Sequence, residues 1–410
     1  MPDKDPPRIE DLLPQLSWDI QTRFEGLSRL GMLRHLLMTI FRTFAFEVAF
    51  PANPAGQLRP ILMFQSMPRK DYNELFQNVV KSLGEDATAV SLDAQAVYSN
   101  RPKAFRSLGL AGVVRRTGLV FRLMHRHRRM FYDALRRYGV SKGAWLCLQV
   151  LKIEPGLTQL LDHRPKGVVV FAEMQCIDRM LTWLCADRGI PCGTLQHGLY
   201  AEYTREETVN VHNYQPKYVS DFFAWGEMTA QLISKYCQEV RVTVCGKPVE
   251  RIPESDQDLD SVFACVVIMD QNIFEAQNIE MLTMVKKAFS DMAKPLGLRM
   301  HPQNDIKRYD LTGFEEVTTE NWRLTECIVG HTTSFLIDLI QDGFTLYRYA
   351  SACESVFQNS DIEFTTVEEL VELRTKRLPL PQSLVKAYIS QTGEDAARAH
   401  AEAIRNYLKT

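Results

Sequence analysis

Residues 167–198 read GVVVFAEMQCIDRMLTWLCADRGIPCGTLQHG. GVVVFAE (167–173) is a short, β-branched apolar run bounded by polar residues, the pattern of a strand buried on both faces. Residues 174–189 place apolar side chains at helical spacing and end in Gly189. IPCGTLQ (190–196) is a second apolar strand, stopped by His197-Gly198. Strand, helix and strand of these lengths make a β-α-β unit of a parallel sheet. The same alternation extends outward in both directions. Upstream, RPILMFQSM (59–67) and TAVSLDA (88–94) read as strands separated by the helical KDYNELFQNVVKSLG. Downstream come YVSDFFAWG (218–226) and VRVTVCG (240–246). The polar, proline-containing KPVERIPESDQDLDS (247–261) then reads as an inter-domain segment or surface loop. Beyond it lie FACVVIMD (263–270), a helix over 278–293, LGLRMHP (296–302), CIVGHTTS (327–334), the helix FLIDLIQDG (335–343) and FTLYRY (344–349). Two β/α halves therefore flank a hinge near residues 235–260. Residues 1–54 read as mostly helical, and the chain ends in one more helix.

Composition bounds the class. The chain has 410 residues, 45% hydrophobic and 24% charged, with a net charge of −2. That suits two or three soluble domains with an ample core and excludes collagen-like, disordered and disulfide-scaffold chains. The near-neutral balance also speaks against a dedicated nucleic-acid binder, so no nucleic-acid partner is expected. Nine cysteines are present without a C-x-x-C pair. They read as buried free thiols of a reducing cytosol, and no Cys/His spacing fits zinc. The start, MPDKDPPRIEDLLP, lacks the basic and apolar regions of a secretory signal, so a cytoplasmic location is expected. LGMLRHLLMTIFRTFAFEVAF (30–50) is interrupted by Arg34, His35, Arg42 and Glu47 and makes a poor membrane span. It reads as a buried helix, with an interfacial amphipathic helix as the other reading.

Charge is concentrated in one place. Residues 101–142 hold twelve Lys/Arg and a single acid, Asp133. Apolar positions alternate with the arginines, as in amphipathic helices with a cationic face. Either the face is simply solvated, or Arg115, Arg116, Arg126, Arg128 and Arg129 meet an anionic membrane, a lipid-linked acceptor or a polyanion.

Three polar clusters each follow an apolar strand: Gln196-His197-Gly198, His301-Pro302 and His331-Thr332-Thr333-Ser334. In open parallel sheets ligands bind at the carboxyl ends of the strands. His197 suits a general base, and Glu173 either orients it or is itself the base. Against this stands a histidine merely satisfied in a turn. His301, fixed by the following proline, either donates to a phosphate or is a turn histidine, with Lys307 and Arg308 adding charge nearby. Thr332, Thr333 and Ser334 begin a helix, where they either cap it or bind phosphate at its positive end. No G-x-G-x-x-G, G-K-[ST] or G-x-S-x-G motif occurs. No D-x-D pair follows a strand, so neither a bound metal nor another cofactor is expected.

Taken in order, strand-HG, strand-HP and strand-polar-hydroxyl-helix over residues 165–350 resemble the GT-B surface-polysaccharide transferases. These include CDP-glycerol glycerophosphotransferase-like polymerases and capsule transferases that use CMP-activated sialic acid or Kdo. Gln196 stands where the first group has tryptophan, and Gly330-His331 where it has Asp-Tyr. Gly246-Lys247-Pro248 resembles the G-x-P that opens the second domain of such proteins. The resemblance implies two Rossmann-like domains facing a cleft, with a helical N-terminal extension. The expected boundaries are an acceptor-side domain over 1–238 with the basic segment, a donor-binding domain over 239–385 and a terminal helix over 386–410. It implies a metal-independent transferase of bacterial cell-surface polysaccharide synthesis. The donor would be nucleotide-activated, CMP- or CDP-linked, and the acceptor a glycan or lipid-linked molecule at the inner membrane face. His197 would be the base, with His301, Thr332, Thr333, Ser334 and Lys247 on the donor phosphate. The other readings are a nucleotide-sugar epimerase or hydrolase on the same fold, and a non-catalytic scaffold of a polysaccharide assembly complex.

Overall fold

The computed structural model describes residues 7–18, 20–48, 59–203, 209–249, 261–301, 304–318, 321, 323–333, 335–341, 343–351, 354, 361–376 and 382–409. Pro302, Ser334, Cys353 and residues 250–260 of the expected inter-domain segment lie outside them.

The N-terminal half is built on six parallel strands: β1 (Ile61–Gln65), β2 (Ala87–Ser91), β3 (Gly167–Val170), β4 (Cys192–Leu195), β5 (Asp221–Ala224) and β6 (Arg241–Val244), in the order β2-β1-β3-β4-β5-β6. Val168, Val169 and Val170 are fully buried, as a strand covered on both faces requires. The longest helices of this half are α1 (Arg29–Ala45), α2 (Lys70–Leu83), α3 (Leu110–Arg126), α4 (Arg128–Asp162) and α5 (Cys176–Arg188), with shorter ones such as Glu227–Tyr236 beside them. On α2 the buried residues Leu75, Phe76, Val79 and Leu83 fall on one face. α5 ends, as its sequence indicates, in a left-handed Gly189 at φ 66°. α4 is broken at Gly139, whose φ of 77° and ψ of 166° are not helical. A short antiparallel ribbon, Phe46–Val48 with Phe105–Ser107, joins the α1 and α3 regions. Neither of its strands is legible in the sequence, because each is only three residues long.

The second half repeats the design. Its strands are β7 (Cys265–Ile268), β8 (Leu296–Arg299), β9 (Phe314–Glu316), β10 (Ile328–Gly330), β11 (Leu346–Tyr349) and β12 (Glu363–Phe364), in the order β9-β8-β7-β10-β11-β12, all parallel. The helices α6 (Glu275–Ala288) and α7 (Phe335–Gln341) belong to this half. The terminal helix α8 (Gly393–Tyr407) returns to the first half. It packs on α2, where Arg405 Nε lies 2.8 Å from Asp86 Oδ2. Just before it, the Lys247 N–H donates to the Gln391 carbonyl at 2.8 Å. A Cβ at Gly246 would fall 2.4 Å from that same carbonyl oxygen, and its φ of 90° also favours glycine.

The helical cover corrects two expectations. Arg116 does not face outward. It is buried, and its guanidinium donates to the carbonyls of Thr43 (3.0 Å), Leu151 (3.3 Å) and Lys152 (2.8 Å). Burial brings it down to about 10. The 30–50 stretch is not a buried helix either. Leu30, Leu33, Leu37, Met38, Ile40 and Phe41 of α1 are all exposed. No helix among the described residues is long and apolar enough to cross a membrane.

Candidate active site

The carboxyl ends of both sheets bear the residues of interest. In the first half β4 runs into Gln196 and His197. The buried Gln196 side chain holds this turn: its amide donates to the Gly198 carbonyl (2.8 Å) and Thr229 Oγ1 (3.1 Å), and its oxygen accepts the Trp225 N–H at 2.6 Å. Gly198 has no positive φ, so the side chain of Gln196, rather than glycine freedom, shapes the turn. The His197 ring is held between Tyr72 (centroids 5.7 Å), Phe171 (6.2 Å) and Tyr200 (5.5 Å). Its Nδ1 lies 3.2 Å from Tyr200 Oη. Among the described residues nothing bonds Nε2. Burial first, and the charge of Arg69 second, hold the imidazole down to about 4, so it is neutral at physiological pH.

Glu173, expected to orient His197 or to act as base, is held by partners other than His197. Its Oε2 pairs with the buried Arg179 at 2.6 Å, and its Oε1 accepts the N–H groups of Lys217 (3.2 Å) and Tyr218 (3.4 Å). Both oxygens are thus committed to fixing the 217–218 segment. Burial raises its pKa against the pull of Arg179. Between Glu173 and His197 is a cavity of about 10 Å³, also lined by Thr194 and Tyr200, roughly the size of one water.

In the second half the organiser is Asp270, which follows β7 and which the sequence reading passed over. This buried carboxylate accepts the Thr332 N–H at 2.7 Å and faces Thr332 Oγ1 at 3.4 Å and His331 Nδ1 at 3.5 Å. Its backbone carbonyl accepts Asn278 Nδ2 (3.1 Å) and Asn304 Nδ2 (2.9 Å). One residue therefore ties together the ends of β7, β8 and β10. His331 is fully buried, with Nε2 2.5 Å from Ser351 Oγ and its ring against Phe274 and Tyr349. His301, half-buried, has its pKa lowered by burial and by Arg69, with Asp270 acting in the opposite sense.

The hydroxyl cluster differs from the expected phosphate cradle. Thr332 is engaged with Asp270, and Thr333 Oγ1 accepts the Phe335 N–H at 3.3 Å, which is helix capping. Ser334 lies outside the described residues. Lys247, expected on the donor phosphate, is ion-paired in this structure. Its Nζ sits 2.5 Å from Asp338 Oδ1 and 5.3 Å from the Trp225 ring centre, so it ties α7 to the end of the first sheet. Arg126 pairs with Asp187 at 2.7 Å, while Arg115, Arg128 and Arg129 are exposed on α3 and α4, away from these strand ends.

His197 and His301 follow strands of opposite halves, and the charge of Arg69 acts on both. The link is Arg69, just before α2, which the sequence reading missed. Its guanidinium stacks 4.4 Å from the Tyr72 ring centre and pairs with Asp71 at 2.8 Å. Its charge is felt by both histidines. Tyr203 of the first half similarly feels Asp270 of the second. The two sets of strand ends thus face a common cleft. Among the described residues no group of three or more His, Cys, Asp or Glu side chains has the arrangement to hold a metal.

Comparison with solved structures agrees with this architecture. The chain is similar to the UDP-GlcNAc 2-epimerase of Methanocaldococcus jannaschii in complex with UDP-GlcNAc and UDP. The TM-score is 0.51 at 10% identity, over 85% of this chain and 99% of that one. It is similar to the same extent (TM-score 0.51, 11% identity, 86% and 97% coverage) to a Listeria monocytogenes protein described as a UDP-N-acetylglucosamine 2-epimerase. The fold is GT-B. Likeness to a chain of the GtfA/B complex is weaker, with a TM-score of 0.42, and spans 61% of that chain's length. No protein-family model matches the sequence, and no curated protein matches it.

Proposed function

We propose that this protein is a transferase that moves a sugar or alditol phosphate from a nucleotide-activated donor to a hydroxyl acceptor in cell-surface polysaccharide synthesis. What supports the reading is that strand-end histidines of both halves, His197 and His301, follow parallel strands whose carboxyl ends are the usual ligand side of such sheets, with the charge of Arg69 acting on both. A cationic group acting on two uncharged histidines suits a phosphate-bearing ligand. The fold neighbour bound to UDP-GlcNAc and UDP supports a nucleotide-linked donor. The sequence resemblance favours a cytidine nucleotide.

In this reading Arg69 and His301 hold the donor phosphate. The acceptor oxygen attacks the transferred group, its proton passes to His197 Nε2, and the bond to the nucleotide phosphate breaks with the electron pair leaving on the phosphate. With Nε2 as acceptor, Nδ1–H donates to Tyr200 Oη. An imidazole at about 4 is a weak base in the free protein. An anionic donor beside Arg69 offsets the arginine's share of that depression, so base strength rises when the donor is bound. Tyr72 and Tyr200 position the ring, and Gln196 positions the turn.

The test is nucleotide release from CMP-, CDP- and UDP-linked donors in the presence of candidate glycan acceptors. The wild type releases nucleotide, and His197→Ala lowers turnover by about 10²–10⁴-fold, the usual contribution of a positioned base. Equal turnover by the two proteins removes His197 from the chemistry. No release with any donor favours the scaffold reading. Epimerisation on the same fold needs carboxylates free to move protons. Glu173, Asp178 and Asp270 are buried acids beside these strand ends, and each is hydrogen-bonded, Asp178 to Ser66 Oγ and the Ala172 N–H. Deuterium incorporation into a nucleotide sugar in D₂O without an acceptor would contradict the transferase reading.

A further inference from the structure

α1 and α3 pack some apolar side chains inward, Met32, Leu36 and Phe44 of α1 and Val120 and Leu123 of α3, yet leave a second apolar stripe exposed. On α1 the inward face carries Thr39, Thr43 and Arg42, all buried. The two threonines satisfy themselves by donating to the carbonyls four residues back, at 2.9 and 2.8 Å. The outward face carries Leu30, Leu33, Leu37 and Phe41, exposed by 76, 52, 55 and 53%. They are spaced as one stripe of a helix. On α3, Arg116, Val120 and Leu123 point in, while Leu110, Val114, Phe121 and Met124 are exposed. Of the 21 large hydrophobic side chains exposed among the described residues, ten lie on these two helices. The helices pack side by side, with Phe44 and Phe121 rings 6.4 Å apart and Leu108 N–H donating to Ala45 O at 3.1 Å.

The charge on this face is mostly positive: Asp133 is exposed at the start of α4, and Arg126 and His127 pair with Asp187 and Glu154, while the other arginines outnumber these acids. Neither α1 nor α3 contains an Asp or Glu. Arg29, Arg34, Arg115, Arg122, Arg128 and Arg129 are exposed around the stripes. At the α3–α4 junction is a cavity of about 380 Å³ lined by His125, Arg126, His127, Arg128 and Arg129. That is ample for a phosphate headgroup.

We infer that α1, α3 and the start of α4 form a monotopic docking face for an anionic lipid membrane. The apolar stripes enter the acyl boundary and the arginine-lined cavity takes lipid phosphate. Apolar side chains interleaved with arginines match an interface that is hydrocarbon on one side and anionic phosphate on the other. A second copy of the chain does not match. A two-fold contact would set this face against itself, arginine against arginine with no acid on either helix. The inference stands apart from the nucleotide reading, since none of these residues lies at the strand ends.

The test is co-sedimentation of the full chain with vesicles of phosphatidylcholine alone and of equimolar phosphatidylcholine and phosphatidylglycerol. The wild type pellets with the anionic vesicles, far less with the neutral ones, and salt weakens binding. Arg128→Gln/Arg129→Gln weakens binding about tenfold or more, since each arginine near such a surface contributes roughly a factor of five. Leu33→Glu/Leu37→Glu and, separately, Val114→Glu abolish it. Melting temperature is unchanged in all three, because the altered side chains are exposed. The inference is overturned if wild type stays in the supernatant with anionic vesicles, or if the glutamate variants bind like wild type. It is also overturned if sedimentation velocity shows a dimer that Leu33→Glu/Leu37→Glu dissociates, which would make a second copy the occupant.

Discussion

His197 shows what burial does to one side chain. Because burial and Arg69 hold it at about 4 rather than near 6.5, it stays neutral well below physiological pH. The expected kcat/KM profile therefore has no limb from His197 between about pH 5.5 and 8. A limb near pH 6.5 that disappears in His197→Asn would contradict this placement. His400 offers a test of the same effect on stability. It is fully buried on α8, neither ring nitrogen has a hydrogen-bond partner among the described residues, and it is pushed down to about 3. The unfolded chain then binds a proton that the native state refuses between about 6.5 and 3, so stability falls as pH drops through that window. His400→Leu should recover about 2 kcal/mol at pH 5 relative to pH 7.5, read as urea midpoints at the two values. An equal pH dependence in both proteins would refute it. Arg179→Met should cost about 3–5 kcal/mol, because it strands the buried Glu173 carboxylate, and an unchanged melting temperature would refute that. The sequence exposes His197, His301 and His331 because each ends an apolar run. It conceals Asp270 and Arg69, whose importance comes from partners brought near only by folding. Lys247 and Glu173 looked available as a phosphate ligand and a base. Asp338, 91 residues from Lys247, and Arg179 occupy them instead.

Among the elements, the strands are the most legible. β1 to β8, together with β10 and β11, fall on segments that read as strands; the central ones are buried on both faces and leave little room for polar residues, while the edge strands β2 and β6 are only partly buried. β9 and β12, at the two edges of the second sheet, were missed: FEE and EF carry too little hydrophobic signal. Helical periodicity located α1 and α3 without revealing which face packs, and the buried-helix expectation for residues 30–50 failed there. The segment leading into α8 gives an element-level prediction. Gly246→Ala puts a methyl 2.4 Å from the Gln391 carbonyl oxygen at a left-handed φ. It should destabilise the protein by roughly 1–3 kcal/mol. A melting temperature within error of wild type would mean that this segment does not hold the two halves together.

In the whole molecule, two parallel sheets hold their carboxyl ends toward one cleft, and the chain crosses twice between halves, at residues 245–264 and before α8. α8 is therefore part of the first half's structure, although it follows the second half in sequence. Deleting residues 386–410 should lower the melting temperature of the first half by baring Leu75, Val79 and Leu83 of α2, and an unaltered melting curve would contradict that. The central claim, that the cleft takes a nucleotide-activated donor, is tested most directly by thermal stabilisation with CMP, CDP, UDP, GDP and ADP in the wild type and in Arg69→Ala. At a hundred times its dissociation constant a ligand adds about 2.7 kcal/mol, a clear rise in melting temperature. The account predicts such a rise with one nucleotide class, a cytidine nucleotide first, and its loss in Arg69→Ala. No rise with any of the five, or an equal rise in Arg69→Ala, would contradict it.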